Sequence, residues 1–269
     1  MEFPNFDPVI IHIWGPIGLN WYGLMYLLGF AGAWWMATAR SKLPNSPYNA
    51  DQVSDFLFYG FLGVVLGGRL GYVIFYMPMQ IIEDPLYPIR IWDGGMSFHG
   101  GLIGVFVAFW YFAKKSNTTF FTIADFFAPM VPIGLATGRF GNFINGELWG
   151  RVTDLQSTPW AMIFPTDIDK EYRHPSMLYE CILEGIVLFI ILYFFSRKPK
   201  PRMAVSGLFL LGYGSFRFIV EYYREPDAHL KELAEFLSMG QILSLPMIIV
   251  GAIWMLLAYK NNQSEAKPA

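Results

Sequence analysis

Cysteine occurs once in this 269-residue chain and histidine four times. One thiol, Cys181, excludes an intramolecular disulfide framework and any cysteine-rich metal site. In an apolar helical stretch it reads as a small buried hydrophobe. No HxxxH or carboxylate spacing supplies metal ligands, so no metal and no other cofactor is expected. Charge is also scarce: 15% of residues are charged against 54% hydrophobic, whereas a soluble domain carries about 25% charged residues. A net charge of -2 gives no basic field to attract nucleic acid. The start, Met1 to Asp7, lacks the basic region of a cleavable signal peptide, so the first apolar span is expected to stay in the protein.

Apolar runs are what the chain has in abundance. A hydrocarbon core about 30 Å thick takes roughly 20 apolar residues per helix. Spans near 18–39, 53–76, 97–113, 120–141, 176–195, 205–222 and 239–259 predict an all-α polytopic membrane protein of about seven transmembrane helices. With the N-terminus outside, the inner segments carry ten basic residues: Arg40, Lys42, Lys114, Lys115, Arg197, Lys198, Lys200, Arg202, Lys260 and Lys267. The outer segments carry six: Arg90, Arg151, Lys170, Arg173, Arg224 and Lys231. Positive residues favour the cytoplasmic side, which sets the orientation as N-out, C-in. The chain reads as a single transmembrane domain over 1–269, with a small outer head at 142–175. An outer arm at 223–238 carries Leu230 and Leu233 at helical spacing, suited to lying in the membrane interface.

Three arginines, Arg69, Arg139 and Arg217, fall within or at the rim of these spans. A charge at membrane depth costs about 2.5–3.5 kcal/mol even on the lenient insertion scale, so it normally lines a wet cavity. Tyr213, Arg217 and Glu221 stand four residues apart and share one helix face, so Arg217 can pair with Glu221 and keep donors for an anion. Arg69 lies in Gly67-Gly68-Arg69-Leu70-Gly71-Tyr72, where small residues admit close helix packing. A packing role and an anion-holding role are both open to it. The densest polar run is Gly138-Arg139-Phe140-Gly141-Asn142-Phe143-Ile144-Asn145-Gly146-Glu147-Leu148-Trp149-Gly150. Guanidinium and amide donors together read as a phosphate or carboxylate site, although a polar packing stripe has the same pattern. His99, in Met96-Ser97-Phe98-His99-Gly100-Gly101, has an imidazole suited to taking a proton from a nucleophile at neutral pH, or to a structural hydrogen bond. His174 looks like a helix cap, with Pro175 at the first helical position.

These elements resemble the bacterial prolipoprotein diacylglyceryl transferases. Gly138 to Gly150 is similar to that family's Gly-Arg-x-Gly-Asn-Phe-x-Asn-x-Glu-x-x-Gly pattern at every fixed position. The resemblance extends to Trp21–Tyr26, Gly67–Tyr72, Met96–Gly101, His174-Pro175-Ser176-Met177-Leu178-Tyr179-Glu180 and Tyr213–Arg224. It implies a multi-pass enzyme of the bacterial inner (cytoplasmic) membrane, N-terminus periplasmic and C-terminus cytoplasmic, with its active site toward the periplasmic side. It implies that an sn-1,2-diacylglyceryl group moves from phosphatidylglycerol, a membrane lipid, to the lipobox cysteine of a preprolipoprotein signal peptide. A thioether forms and glycerol 1-phosphate leaves, in the first step of lipoprotein maturation.

In that light Arg139 and Arg217 are expected to hold the phosphate, and His99 to act as base, with Arg or Glu partners as the alternative means of activating the thiol. Tyr26, Arg69, Asn142, Asn145, Glu147, Gly150, Tyr213 and Glu221 are expected on the substrate side. The nucleophilic thiol comes from the substrate, so Cys181 has no part. A transporter of an anionic solute is the rival use of such arginines. It predicts paired interrupted helices in two inverted halves, and the sequence has none.

Overall fold

A computed structural model describes residues 2–4, 6–7, 9–14, 17–225 and 237–265. Helices occupy each of the seven stretches read as spans: Trp21–Ser41, Ala50–Tyr76, Phe98–Lys115, Phe120–Ile144, Ser176–Ser196, Ala204–Val220 and Met239–Glu265. They are called the first to the seventh helix below. Four of them are long and apolar enough by themselves to cross a membrane: the second, fourth and fifth, and Met239–Asn261 of the seventh.

The fold is mostly helical rather than all-α. Val9–Trp14 pairs antiparallel with Ile17–Asn20, and Met162–Ile163 with Tyr172–Arg173. The first ribbon takes residues 18–20 out of the first span, which starts at Trp21. There the Asn20 side chain accepts a hydrogen bond from the Gly23 N–H at 2.7 Å, satisfying one of the donors a helix start leaves open. The interfacial arm expected at 223–238 lies for the most part outside the described residues, since 226–236 are not among them.

The chain divides into two compact units, residues 37–126 and residues 1–36 with 127–269. In the first of these, the second and third helices meet through glycines. A Cβ on Gly104 would stand 1.9 Å from the Gly63 carbonyl oxygen, and one on Gly100 2.3 Å from that of Gly67. Helix backbones come this close only where both sides lack a side chain. The second helix opens with a capping box: the Asn49 side chain accepts from Gln52 N at 2.8 Å, and the Gln52 side chain accepts from Asn49 N at 3.0 Å. Val53, Phe56, Phe112, Ile123 and Phe126 fill the core of this unit.

In the other unit the first helix lies on the fourth, with Gly141 against Tyr22 and Met25, and Gly29 against Gly134 and Thr137. Ala128, Leu188, Leu192 and Val205 form an apolar core against which Tyr213 and Phe216 pack. The fifth helix widens to π-helical bonding over Cys181–Val187, a local change that recurs at functional sites. Past Ile144 the chain leaves the fourth helix and builds the small head, whose core is Phe143, Phe164 and Met177 with Phe3 and Trp149 packed on it.

Candidate active site

The polar run at the end of the fourth helix closes on itself. The helix stops at Ile144, Asn145 occupies the cap position, and Gly146 turns the chain with φ +65°, a left-handed conformation that costs glycine little. Glu147 is thereby turned back toward the helix. Its Oε1 accepts hydrogen bonds from Asn142 Nδ2 at 2.8 Å and Asn145 Nδ2 at 3.3 Å. The Glu147 amide donates to the Asn142 carbonyl at 3.1 Å. Two amides and a carboxylate that the sequence spaces at three and two residues thus form one fixed constellation.

Arg139, one helical turn earlier, faces a carboxylate from another helix. Its Nε lies 2.9 Å from Glu180 Oε2. Arg217 of the sixth helix donates from Nη1 to the other oxygen of the same carboxylate, Oε1. Arg217 Nη2 lies 3.0 Å from Glu221 Oε2, and Nη1 lies 4.0 Å from Glu184 Oε1. Arg224 Nε stands 3.9 Å from Glu180 Oε1. Glu180 and Glu184 are fully buried. The pairing expected between Arg217 and Glu221 is present, but Glu180, at the centre of the cluster, is a residue that the inventory of unusual charges passed over. Three guanidinium groups and three carboxylates make the set neutral as a whole when all are ionised, which is what burial of so many charges demands.

Glu180, Glu184 and Arg224 were legible in principle. Glu180 and Glu184 stand four apart in an otherwise apolar helix and so share one face, a signal as strong as that of the arginines. Arg224 counts as a loop residue by position. Its depth follows only from how the loop folds back.

That fold-back depends on the head. Gly150 pairs with Arg224 as an isolated antiparallel bridge. The Arg151 N–H donates to the Tyr223 carbonyl at 2.9 Å, and Arg151 Nε to the Arg224 carbonyl at 3.0 Å. On the other edge Gly150 N–H donates to the His174 carbonyl at 2.8 Å. A Cβ on Gly150 would stand 2.2 Å from the Tyr223 oxygen. Behind this three-way junction Arg173 is buried, with Nε 2.7 Å and Nη2 3.2 Å from the two oxygens of Asp167, and its guanidinium 3.9 Å from the centre of the Trp149 ring. Burial raises the Asp167 pKa, but the Arg173 hydrogen bond and charge outweigh it, and the carboxyl titrates below its ordinary range.

His174 is not the cap expected of it. Pro175 takes the cap position and the fifth helix opens at Ser176. The imidazole Nδ1 instead lies 3.1 Å from the Tyr179 hydroxyl, which accepts from Trp160 Nε1 at 2.6 Å. Since the indole can only donate, the tyrosine proton is left for His174 Nδ1. Burial holds the His174 pKa below its ordinary value.

The other residues expected at the site are placed as follows. Tyr26 is exposed on the first helix, its hydroxyl 3.1 Å from that of Tyr22. Tyr213 is half-buried against the apolar core of the fifth helix. Arg69 and His99 belong to the 37–126 unit. Arg69 is buried, and its guanidinium donates to the carbonyls of Tyr87 at 2.8 Å, Pro88 and Gly95 at 3.3 Å, and Gly94. These contacts tie down the loop after the second helix. His99 is exposed in the first turn of the third helix, beneath the Ser97 cap. Its ring stands edge-on to Phe98 and makes no hydrogen bond among the described residues.

A family model described as prolipoprotein diacylglyceryl transferase matches residues 8–257. This chain belongs to the prolipoprotein diacylglyceryl transferase family. Among similar curated proteins is a phosphatidylglycerol–prolipoprotein diacylglyceryl transferase of Photobacterium profundum, 60% identical over 99% of this chain and 98% of its own length. Proteins of the same name from Aliivibrio fischeri and Vibrio vulnificus are 60% and 59% identical, over 97% and 99% of this chain and 91% and 97% of their own. The stretch matched to the transferase family takes in the whole of the cluster around Glu180 and the junction that holds Arg224.

Proposed function

We propose that this transferase moves an sn-1,2-diacylglyceryl group from phosphatidylglycerol to the lipobox cysteine of a preprolipoprotein signal peptide. The substrate thiolate attacks the glycerol carbon that bears the phosphate ester. The sulfur–carbon bond forms as the carbon–oxygen bond breaks, and its electron pair leaves with glycerol 1-phosphate. The thiol proton passes to a base. Seven spans with a periplasmic N-terminus put the head, and with it the end of the fourth helix, on the periplasmic side of the inner membrane.

The observation that carries the reading is the cluster of arginines on one buried carboxylate, a single turn from the Asn142–Glu147 constellation. A phosphodiester brings one negative charge and its departing monoester gains a second, so donors fixed in advance favour the transition state over the bound lipid. The Arg139 nitrogen nearest Glu180 is Nε, and the side chain is partly exposed, so its guanidinium has N–H groups to offer phosphate oxygens. Arg217, enclosed by three carboxylates, holds the cluster together and tempers its charge. Asn145 and Glu147 offer polar groups to the glycerol hydroxyls. His99, with no hydrogen bond competing for its imidazole among the described residues, is the proposed acceptor of the thiol proton.

The test is direct. Purified protein is supplied with phosphatidylglycerol vesicles and a lipobox peptide. The peptide is expected to gain one diacylglyceryl mass for each glycerol 1-phosphate released. Modification without that product, or no modification, would sink the reading.

A further inference from the structure

We propose that Arg224 is a further phosphate-holding arginine of this site, and that residue 150 is a glycine so that the segment carrying Arg224 can dock. The inference rests on the reading of the chain as a diacylglyceryl transferase.

Three arginines approach Glu180, and they do so unequally. Arg217 turns both terminal nitrogens toward carboxylates. For Arg139 and Arg224 the nitrogen nearest Glu180 is Nε, at 2.9 Å and 3.9 Å. Among the described residues neither makes another ion pair, so each has guanidinium N–H groups to spare. A guanidinium presents such groups as a planar fork that matches two phosphate oxygens. Both side chains are only partly enclosed, with 22% and 19% of their surface exposed, against 1% for Glu180. Glu180 therefore anchors both from their buried side.

A second fork meets a need of the chemistry. The bound lipid carries one charge at the phosphate and the departing glycerol 1-phosphate carries two. One arginine balances the donor, and a second makes its gain as the carbon–oxygen bond breaks.

Arg224 holds its place through its backbone. It follows the sixth helix by a turn and is pinned by the Gly150 bridge and by Arg151, which binds the carbonyls of Tyr223 and Arg224. Any side chain at 150 would begin 2.2 Å from the Tyr223 oxygen and 2.9 Å from the His174 Cβ. The last glycine of the polar run is thus a positioning residue, acting through Arg224 without meeting the lipid.

The experiment measures kcat, KM for phosphatidylglycerol and the inhibition constant of glycerol 1-phosphate for the full-length protein, Arg224→Gln, Arg224→Lys and Arg139→Gln. Losing a charge-assisted pair of hydrogen bonds is expected to raise that inhibition constant about tenfold or more in Arg224→Gln. Arg224→Lys, which keeps the charge without the fork, is expected to fall between Arg224→Gln and the parent. Gly150→Ala is expected to reproduce the Arg224→Gln defect and to add little to it in the double variant, because both act through one group. An unchanged inhibition constant in Arg224→Gln overturns the proposal, whatever happens to kcat. If that variant does not accumulate, an unchanged constant in Arg224→Lys overturns it equally. An effect in Arg139→Gln without one at Arg224 removes Arg224 alone. No effect at either position removes the phosphate site itself.

Discussion

Arg139 and Arg217 divide one carboxylate between them: Arg139 Nε lies 2.9 Å from Glu180 Oε2, while Arg217 Nη1 bonds to Oε1. The two arginines come from the fourth and sixth helices and meet on a residue of the fifth, so one buried side chain sets the spacing of three helices. Arg139 is the more exposed of the two, and Arg217 is enclosed by carboxylates.

That asymmetry separates the two alanine variants. Arg139→Ala is expected to lose activity by on the order of 10²–10³-fold with little change in melting temperature. Arg217→Ala is expected to lose activity and also about 3–5 kcal/mol of stability, since it strips the buried Glu184 and Glu221 of their counterion and leaves Glu180 one arginine fewer. Transfer assays and thermal unfolding of the same detergent-purified samples check both. Equal stability of the two variants, or full activity in either, contradicts the assignment.

Glu180→Gln keeps the size of the side chain and removes the charge that gathers the arginines. It is expected to impair folding and transfer together, more severely than Glu147→Gln, whose carboxylate is half-buried and bonded to two neutral amides. Expression level and transfer rate, measured side by side, decide the order.

The head should be sensitive to acid. The folded Asp167 pKa lies below its ordinary value because of Arg173. Its contribution to stability is therefore present above the unfolded pKa, near 3.9 for an aspartate, and is lost as pH falls through the folded value. Asp167→Asn is expected to cost ~3 kcal/mol at neutral pH, with the gap from the parent closing as pH falls below about 4. Melting curves of both proteins across pH test the sign. A gap that widens in acid contradicts it.

His99→Ala is expected to lose most transfer at neutral pH and to regain part of it at raised pH, where the substrate thiol, with a pKa of about 8.5, ionises unaided. A variant that stays active at neutral pH, or that gains nothing at pH 9, removes the base role. Here pH 9 stands for about half a unit above that thiol pKa.

Gly104→Val tests the glycine contact of the second and third helices. Its Cβ would fall 1.9 Å from the Gly63 oxygen, so the 37–126 unit is expected to lose stability by more than the ~1–3 kcal/mol of ordinary overpacking. Proteolysis within that unit gives the readout.

Much of this was readable from residues alone, for identifiable reasons. Long apolar runs mark helices because a backbone in lipid must satisfy itself, and helices stand at all seven runs. The Arg217–Glu221 pair follows from spacing four apart, and the Asn142–Glu147 constellation from its closeness in sequence. The β-ribbons, by contrast, are too short to produce a pattern, and 18–20 reads as apolar whether extended or helical. Arg69 has the same sequence signature in either of its roles. Its partners, the carbonyls of Tyr87, Pro88, Gly94 and Gly95, lie 18 to 26 residues further on, where no local periodicity records them. Arg224 and Glu180 lie 44 residues apart in sequence, and no local periodicity records that meeting.

The widened stretch at Cys181–Val187 acts on everything that follows it. Glu180, Glu184, Leu188 and Leu192 fall four apart, and all four are fully buried. In an unbroken α-helix each such step turns about 40° past a full circle, and across three steps the seam would drift toward lipid. Wider turns take up that excess, so carboxylates and leucines stay on one line. Register is therefore a functional quantity in this helix. Removing one residue from 181–187 would let the stretch tighten to ordinary α-helix, with Glu180 and the first buried leucine then seven apart and about 20° short of two full turns. Such a deletion, placed anywhere but at Glu184, keeps every residue of the arginine cluster, yet it moves Glu184 off the line that Glu180 and the leucines share.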